Sequence, residues 1–248
     1  MKRLVPVVLA AFVFFLGWKL IVVIGGYPSF ILPPPETVFG RLIEAWADGQ
    51  MAPHLLATMS EIVLGLIVGG TSALAIGYLM ARSAFAERLL SPYLVAAQAI
   101  PILAIAPLLV LWLGTGLLPK VVICALICFF PVAVATAVGI RSVDNRLLEL
   151  GRSLRATRWQ IVRHIELPAA LPQILGGFRV GATLAVIGAV VGEWAGADRG
   201  LAYLINFARG SLFDVPLMFA ALVTLAAIGI FMYVVVILVE RALVGSWR

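Results

Sequence analysis

The chain has 248 residues, 63% of them hydrophobic and 12% charged, with a mean hydropathy of +1.11 and a formal net charge of +6. Globular domains carry roughly 25% charged residues, so this composition excludes an ordinary soluble fold. The positive balance is read first as membrane topology, not as a nucleic-acid footprint, and no nucleic-acid partner is expected.

A bilayer core of about 30 Å takes roughly 20 apolar residues per helix, and several runs of that length follow one another. The first, Leu4 to Ile24, comes after Lys2 and Arg3. It is too long for the roughly 7–15 apolar residues of a signal peptide, and no small-x-small cleavage site follows. It is expected to be an uncleaved span with Lys2 and Arg3 inside and Lys19 reaching the outer interface. Gly25 to His54 is a long polar interval. Pro33, Pro34 and Pro35 break any helix there, and Thr37 to Trp46 has the pattern of an amphipathic helix lying on the membrane. Residues 1–54 thus form a first unit.

The second span is expected from Leu55 to Ala81. Gly65 and Gly69 have the small-xxx-small spacing that lets another helix approach closely. Glu61 is costly in lipid; it either sits at the interface or faces the bundle. Arg82 to Leu90 reads as a short basic loop. The third span, Tyr93 to Leu113, contains Gln98, Pro101 and Pro107. Its prolines free backbone carbonyls that must be satisfied by protein or in a cavity. Gln98 and Pro101 are therefore candidates for a transport pathway; the other reading of Gln98 is a hydrogen bond between helices. Gly114 to Lys120 reads as a tight outer turn, and Val121 to Ile140 as the fourth span, kinked at Pro131. Cys124 and Cys128 lie four apart on one face of it. They are either small packing residues or a redox or metal pair, and helix geometry disfavours a disulfide between them.

Residues 142–172 differ from everything around them. Arg146, Arg152, Arg155, Arg158 and Arg163 fall there together. A first amphipathic pattern runs from an Asp144 cap through Leu147, Leu148, Leu150 and Leu154. A second opens at Thr157 with Gln160 three residues on, a capping box, and is expected to stop at Pro168, which has no N–H to donate. Two short helices, polar on one side, are suited to being gripped by another protein.

The fifth span is expected from Ile174 to Trp194, with close-packing glycines at 177, 181, 188, 192 and 196 and Arg179 near its inner end. Glu193 joins Gln98 and Pro101 as a pathway candidate. An external segment, Ala195 to Val215, leads to a sixth span from Leu217 to Val239. Residues 55–241 then form a five-helix core, followed by an inner tail, 242–248. Twelve basic residues fall on one side of this layout: Lys2, Arg3, Arg82, Arg88, Arg141, Arg146, Arg152, Arg155, Arg158, Arg163, Arg241 and Arg248. Only Arg41, Lys120, Arg199 and Arg209 fall on the other. Basic residues stay in the cytoplasm, so both termini and the arginine-rich loop are expected there. The fold class that emerges is an all-α polytopic membrane protein of about six transmembrane helices.

Glu149-Leu150-Gly151, followed at a fixed distance by Ile165-Glu166-Leu167-Pro168, resembles the EAA loop of the membrane subunits of ATP-binding-cassette importers. The family pattern is Glu-Ala-Ala, three residues, Gly, nine residues, Ile, any residue, Leu-Pro. Leu150 and Gly151 stand where the family has alanines, and Arg155 stands where it has glycine. The resemblance extends over nearly the whole chain, through ILPPPETVFGRLIEAW and the Gly-Ala-Asp-Arg-Gly-Leu stretch at 196–201. It implies the type I importer permease fold, with the loop forming cytoplasmic coupling helices that dock on a separate ATPase. The implied contacts are Glu149, Gly151, Arg152, Leu154, Arg155, Ala156, Thr157 and Trp159, with Ile165, Leu167 and Pro168 closing the motif. Trp159 is either a docking anchor or part of the interfacial aromatic belt. If the family glycine is left-handed, arginine at 155 costs about 1 kcal/mol.

The resemblance further implies two ATPase subunits, a second permease copy, an external or periplasmic solute-binding protein and contact with membrane lipid. This chain is not expected to be an enzyme or to bind a cofactor. Its lysines, Lys2, Lys19 and Lys120, are followed by Arg, Leu and Val, so no phosphate-binding loop is present, and ATP is used by the partner. Members of this branch carry sulfonates, taurine, nitrate, riboflavin or thiamine-precursor pyrimidines. Val190 to Trp194 looks more like the vitamin-precursor members. The competing class is an ion-coupled secondary transporter in the inner membrane. That class usually needs ionisable relays within the spans, and mid-span charges look nearly absent here. A membrane-embedded hydrolase is weaker still, because His54 and His164 fall at opposite membrane edges.

Overall fold

A computed structural model describes residues 4–245, so the placement of Lys2, Arg3 and Arg248 and the end of the 242–248 tail lie outside the described residues. The described chain is helical: α1 Leu4–Gly25, α2 Pro35–Ala47, α3 Met51–Arg82, α4 Ala84–Ala99, α5 Ile102–Leu113 and α6 Leu117–Arg141. There follow α7 Asn145–Ser153, α8 Arg158–Ile161, α9 Leu167–Gly196, α10 Leu201–Phe207 and α11 Val215–Gly245. Among the described residues, four helical stretches are long and apolar enough to cross a membrane: Met51–Arg82, Leu117–Arg141, Arg158–Gly196 and Val215–Gly245. α4 and α5 together make a fifth, bent by 95°. α1 is a further apolar helix.

The bend falls at Ile100 and Pro101, whose backbones are extended. Proline disfavours the helical region for the residue before it, and its ring has no N–H to continue the ladder. Pro107 and Pro131, by contrast, lie inside α5 and α6 without ending them. The basic loop expected over Arg82 to Leu90 is not a loop. Only Ser83 separates α3 from α4, and its hydroxyl accepts from the Ala86 N–H as an N-cap.

Of the described residues, 4–57 and 198–226 make one compact unit, and 58–197 and 227–245 make the other. Within the first, α2 begins with Pro35 at its first turn, a position that needs no N–H. Arg41 Nε donates to Asp214 Oδ2 at 2.7 Å, which ties α2 to the start of α11. Lys19 Nζ lies 3.2 Å from Glu36 Oε1. Glu36 is held below the ordinary carboxylate range, first by a hydrogen bond from its own backbone N–H and then by Lys19. His54 Nδ1 accepts from the Gly200 N–H at 3.1 Å, and its ring stacks on Tyr203.

In the second unit α6 is the central post. Gly65 and Gly69 of α3 meet it so closely that an added Cβ would lie 2.2 Å from Cys124 Cβ and 2.4 Å from the Ala125 carbonyl oxygen. On the opposite side Gly188 of α9 leaves 2.9 Å between such a Cβ and Cys124 Cα. Cys124 and Cys128 are therefore the small side chains of a three-helix contact. Both are buried, with thiols donating to the Ala185 and Gly65 carbonyls. Larger residues would hold the helices apart.

Candidate functional site

Two features of the second unit stand out: an elbow at 142–166 and a cavity beside α9. The elbow begins with Asp144, which caps α7 by accepting from the Arg146 N–H at 2.8 Å. α7 ends in a Schellman turn. The Ala156 N–H closes on the Gly151 carbonyl at 3.0 Å, and the Arg155 N–H on that of Arg152 at 2.9 Å. Arg155 itself has φ +55°, so it occupies the left-handed position that the resemblance assigns to glycine. α8 opens with the expected capping box: the Thr157 N–H donates to Gln160 Oε1 at 2.7 Å and the Gln160 N–H to Thr157 Oγ1 at 3.3 Å.

The expected stop at Pro168 is a correction. Val162–Glu166 is a π-helical turn, in which the Leu167 N–H closes on the Val162 carbonyl, and the helix continues without a break into α9. A π turn widens the backbone, so the proline ring at 168 is accommodated where a regular α-helix would clash. The uninterrupted helix runs from Arg158 to Gly196, 39 residues, so the helix that contains the expected fifth span begins well before Ile174. At about 1.5 Å per residue it is much longer than the roughly 30 Å of a bilayer core, so part of it lies outside any such core.

The elbow has an inner and an outer face. Val143, Leu148 and Ile161 form its core, with Ala156 and Ile165 packed against them. Gly151 belongs to this inner face: an added Cβ there would lie 2.9 Å from Ile165 Cδ1. The outer face presents Leu150, Leu154 and Trp159, exposed by 57%, 74% and 69%, among the exposed Glu149, Arg152, Arg155 and Thr157. Ion pairs fix the base of the elbow. Glu166 pairs with Arg82, and Tyr78 Oη donates to it at 3.3 Å. Arg141 lies 2.8 Å from Glu87 and also donates to the Met80 carbonyl. The ends of α3, α4, α6 and α9 are thereby linked beside the elbow.

The cavity, of about 820 Å³, lies between α4, α5, α6 and α9. Its walls include Gln98 and Pro101, two of the three pathway candidates. They also include Gln173, Gly176, Val180 and Leu184 of α9. Gln173 escaped the sequence reading because the fifth span was expected to start one residue after it; the signal, an amide in an apolar run, is the same one that marks Gln98.

Glu193 is not in this wall. It is buried near the end of α9 and accepts from Thr58 Oγ1 at 2.6 Å. Close by, Lys120 Nζ lies 3.3 Å from Glu61 Oε1, both side chains buried. Glu61 thus faces the bundle. Lys120 is in the first turn of α6, not in an outer loop, and the impression that mid-span charges are nearly absent is corrected by this cluster. Two carboxylates and one ammonium are thus brought together from α3, α6 and α9, although Glu61 Oε2 is buried with no hydrogen-bond partner, where an unpaired charge is costly.

Comparison with known proteins supports one reading of this architecture. Residues 73–245 match the family described as binding-protein-dependent transport system inner membrane component. The riboflavin transport system permease protein of Chloroflexus aurantiacus is 46% identical over 227 residues, 92% of this chain and 84% of that relative. The formylaminopyrimidine transport permease protein of Halalkalibacterium halodurans is 36% identical, over 93% of this chain and 91% of its own length. The putative aliphatic sulfonates transport permease protein of Bacillus subtilis is 35% identical, over 93% and 83%. A chain of the methionine ABC transporter solved in inward-facing conformations superposes with a TM-score of 0.62 at 21% identity, over 77% of this chain and 93% of that one. At that identity the likeness speaks for the fold, that of the type I importer permeases.

Proposed function

The chain belongs to the binding-protein-dependent transport system inner membrane component family and is a membrane-spanning permease subunit of an ATP-binding-cassette importer, and from that premise we propose that it imports riboflavin or a thiamine-precursor pyrimidine. Support comes from the functions that two of the relatives above are named for. Family membership sets aside the ion-coupled alternative. ATP is used by a partner ATPase, two copies of which serve a pair of permeases, and an external binding protein delivers the solute.

The observation that carries the mechanism is the unbroken helix from Arg158 to Gly196. One end is the second arm of the elbow; further along, the same helix supplies Gln173, Val180 and Leu184 to the cavity wall. A rigid rod transmits a displacement at one end to the other, whereas a hinge at Pro168 would absorb it. Leu150, Leu154 and Trp159 fill an apolar groove on the ATPase, with the aromatic side chain as anchor. Arg152, Arg155 and Glu149 at the rim steer and orient, while Gly151, Ala156 and Ile165 keep the two arms packed. The permeation path runs along Gln98 and Pro101.

Removing the buried Lys120 from the outer count leaves Arg41, Arg199 and Arg209 there, which strengthens the assignment of the elbow and both termini to the cytoplasm. The partner binding protein tests the substrate directly. Purified with its ligand, it is expected to carry a flavin, visible by absorbance and fluorescence, or a pyrimidine. A bound sulfonate would contradict the reading.

A further inference from the structure

The cavity beside α9 has a chemistry of its own. None of the residues lining it is charged. Its walls are apolar, with Ile102, Ile105, Phe130 and Leu184 among them, and only Gln98 and Gln173 bring polar side chains. A second source of polarity is the backbone. α4 ends at Ala99 against an extended Ile100, and Pro101 has no N–H, so among the described residues no capping N–H closes on the carbonyls of its last turn. Ala97 and Gln98, in that turn, line the cavity. Carbonyls left open at a helix C-terminus are acceptors and carry partial negative charge. Pro131 of α6, also in the wall, frees one more carbonyl by the same lack of an N–H.

An anion entering this space meets no cation, and the field of the α4 end opposes it. A strongly hydrated group such as a sulfonate would shed water without compensation. A flat ring carrying N–H donors finds apolar walls for its faces, amides that donate and accept for its edge, and carbonyls for its N–H and hydroxyl groups. The volume, about 820 Å³, lies within the roughly 300–1,000 Å³ of small-molecule sites.

We propose that this cavity is a selectivity site for an uncharged, planar heterocycle, with Gln98, Gln173 and the open carbonyls of the α4–α5 break reading its polar edge. The proposal deepens the riboflavin-or-pyrimidine reading and rests on it. The test uses the complete importer, with its ATPase and binding protein, in proteoliposomes offered riboflavin, formylaminopyrimidine or taurine. Gln98→Leu and Gln173→Leu are each expected to slow uptake of the heterocycle about tenfold, the loss of one hydrogen bond, while the ATPase stays bound. The unaltered importer supplies a second readout, with the compound placed on the product side, where no binding protein acts. Riboflavin on the product side is expected to slow uptake, and its phosphate ester, flavin mononucleotide, is not. Uptake of taurine in place of either heterocycle would overturn both the substrate reading and this site. Heterocycle uptake that is indifferent to both substitutions, or equal inhibition by the phosphate ester, would overturn the site alone. So would separation of the permease pair in either variant, which would make the cavity a contact between copies.

Discussion

Arg155 holds a left-handed backbone, φ +55°, at the end of α7, a conformation that costs a residue with a Cβ about 1 kcal/mol relative to glycine. Arg155→Gly is therefore expected to leave ATPase co-purification intact and to stabilise the elbow by about 1 kcal/mol, read as slower proteolysis of the 142–166 segment in membranes. Loss of the ATPase in that variant would show that the guanidinium makes a contact worth more than the strain. Trp159, 69% exposed on the outer face, is the opposite case. Nothing in the chain needs it there, so Trp159→Ala is expected to leave folding unchanged. It should weaken ATPase retention by about 2 kcal/mol or more, the range of an interface anchor, measured by titrating the ATPase onto the reconstituted permease. The buried Lys120 is different again. Lys120→Met leaves Glu61 without its ammonium, and breaking a buried pair costs roughly 3–5 kcal/mol. A lowered melting temperature in detergent is expected, largely recovered by adding Glu61→Gln.

At the scale of helices, the three-helix contact of α3, α6 and α9 depends on absent side chains. Gly69→Val would place carbon against the Ala125 carbonyl, 2.4 Å from even the first added atom, and overpacking of that kind costs about 1–3 kcal/mol or more. Gly176→Ala, which meets nothing within 4 Å, is the control and should be neutral in the same thermal unfolding assay. Features set by near neighbours were legible in the sequence: the Asp144 cap, the Thr157–Gln160 box, the glycine spacing at 65 and 69, the amphipathic α2. They depend on residues a few positions apart. What was not legible depends on distance along the chain or on fine backbone geometry. Glu61, Lys120 and Glu193 come from three different helices, and no local pattern pairs them. Pro168 is a helix breaker by rule, and only the π turn before it turns it into a helix residue. Gln173 lies on that continued helix, one residue ahead of the expected start of the span, where a reading of polar residues within apolar spans does not reach.

Across the molecule, the elbow's exposed leucines and Trp159 are unfavourable in water unless covered, and on the proposed reading the arginines around them keep that face in the cytoplasm, where the ATPase covers it. The 39-residue helix joins the elbow and the cavity wall in one continuous element, which the proposed mechanism uses as its lever. The most direct measurement is cross-linking from a single cysteine at Arg158→Cys in the assembled importer, since Cys124 and Cys128 are buried. The account predicts an adduct with the ATPase subunit and arrest of ATP-driven uptake once the link is made. A cysteine there that reacts with a membrane-impermeant reagent from outside intact cells, or uptake that continues with the link in place, would contradict it.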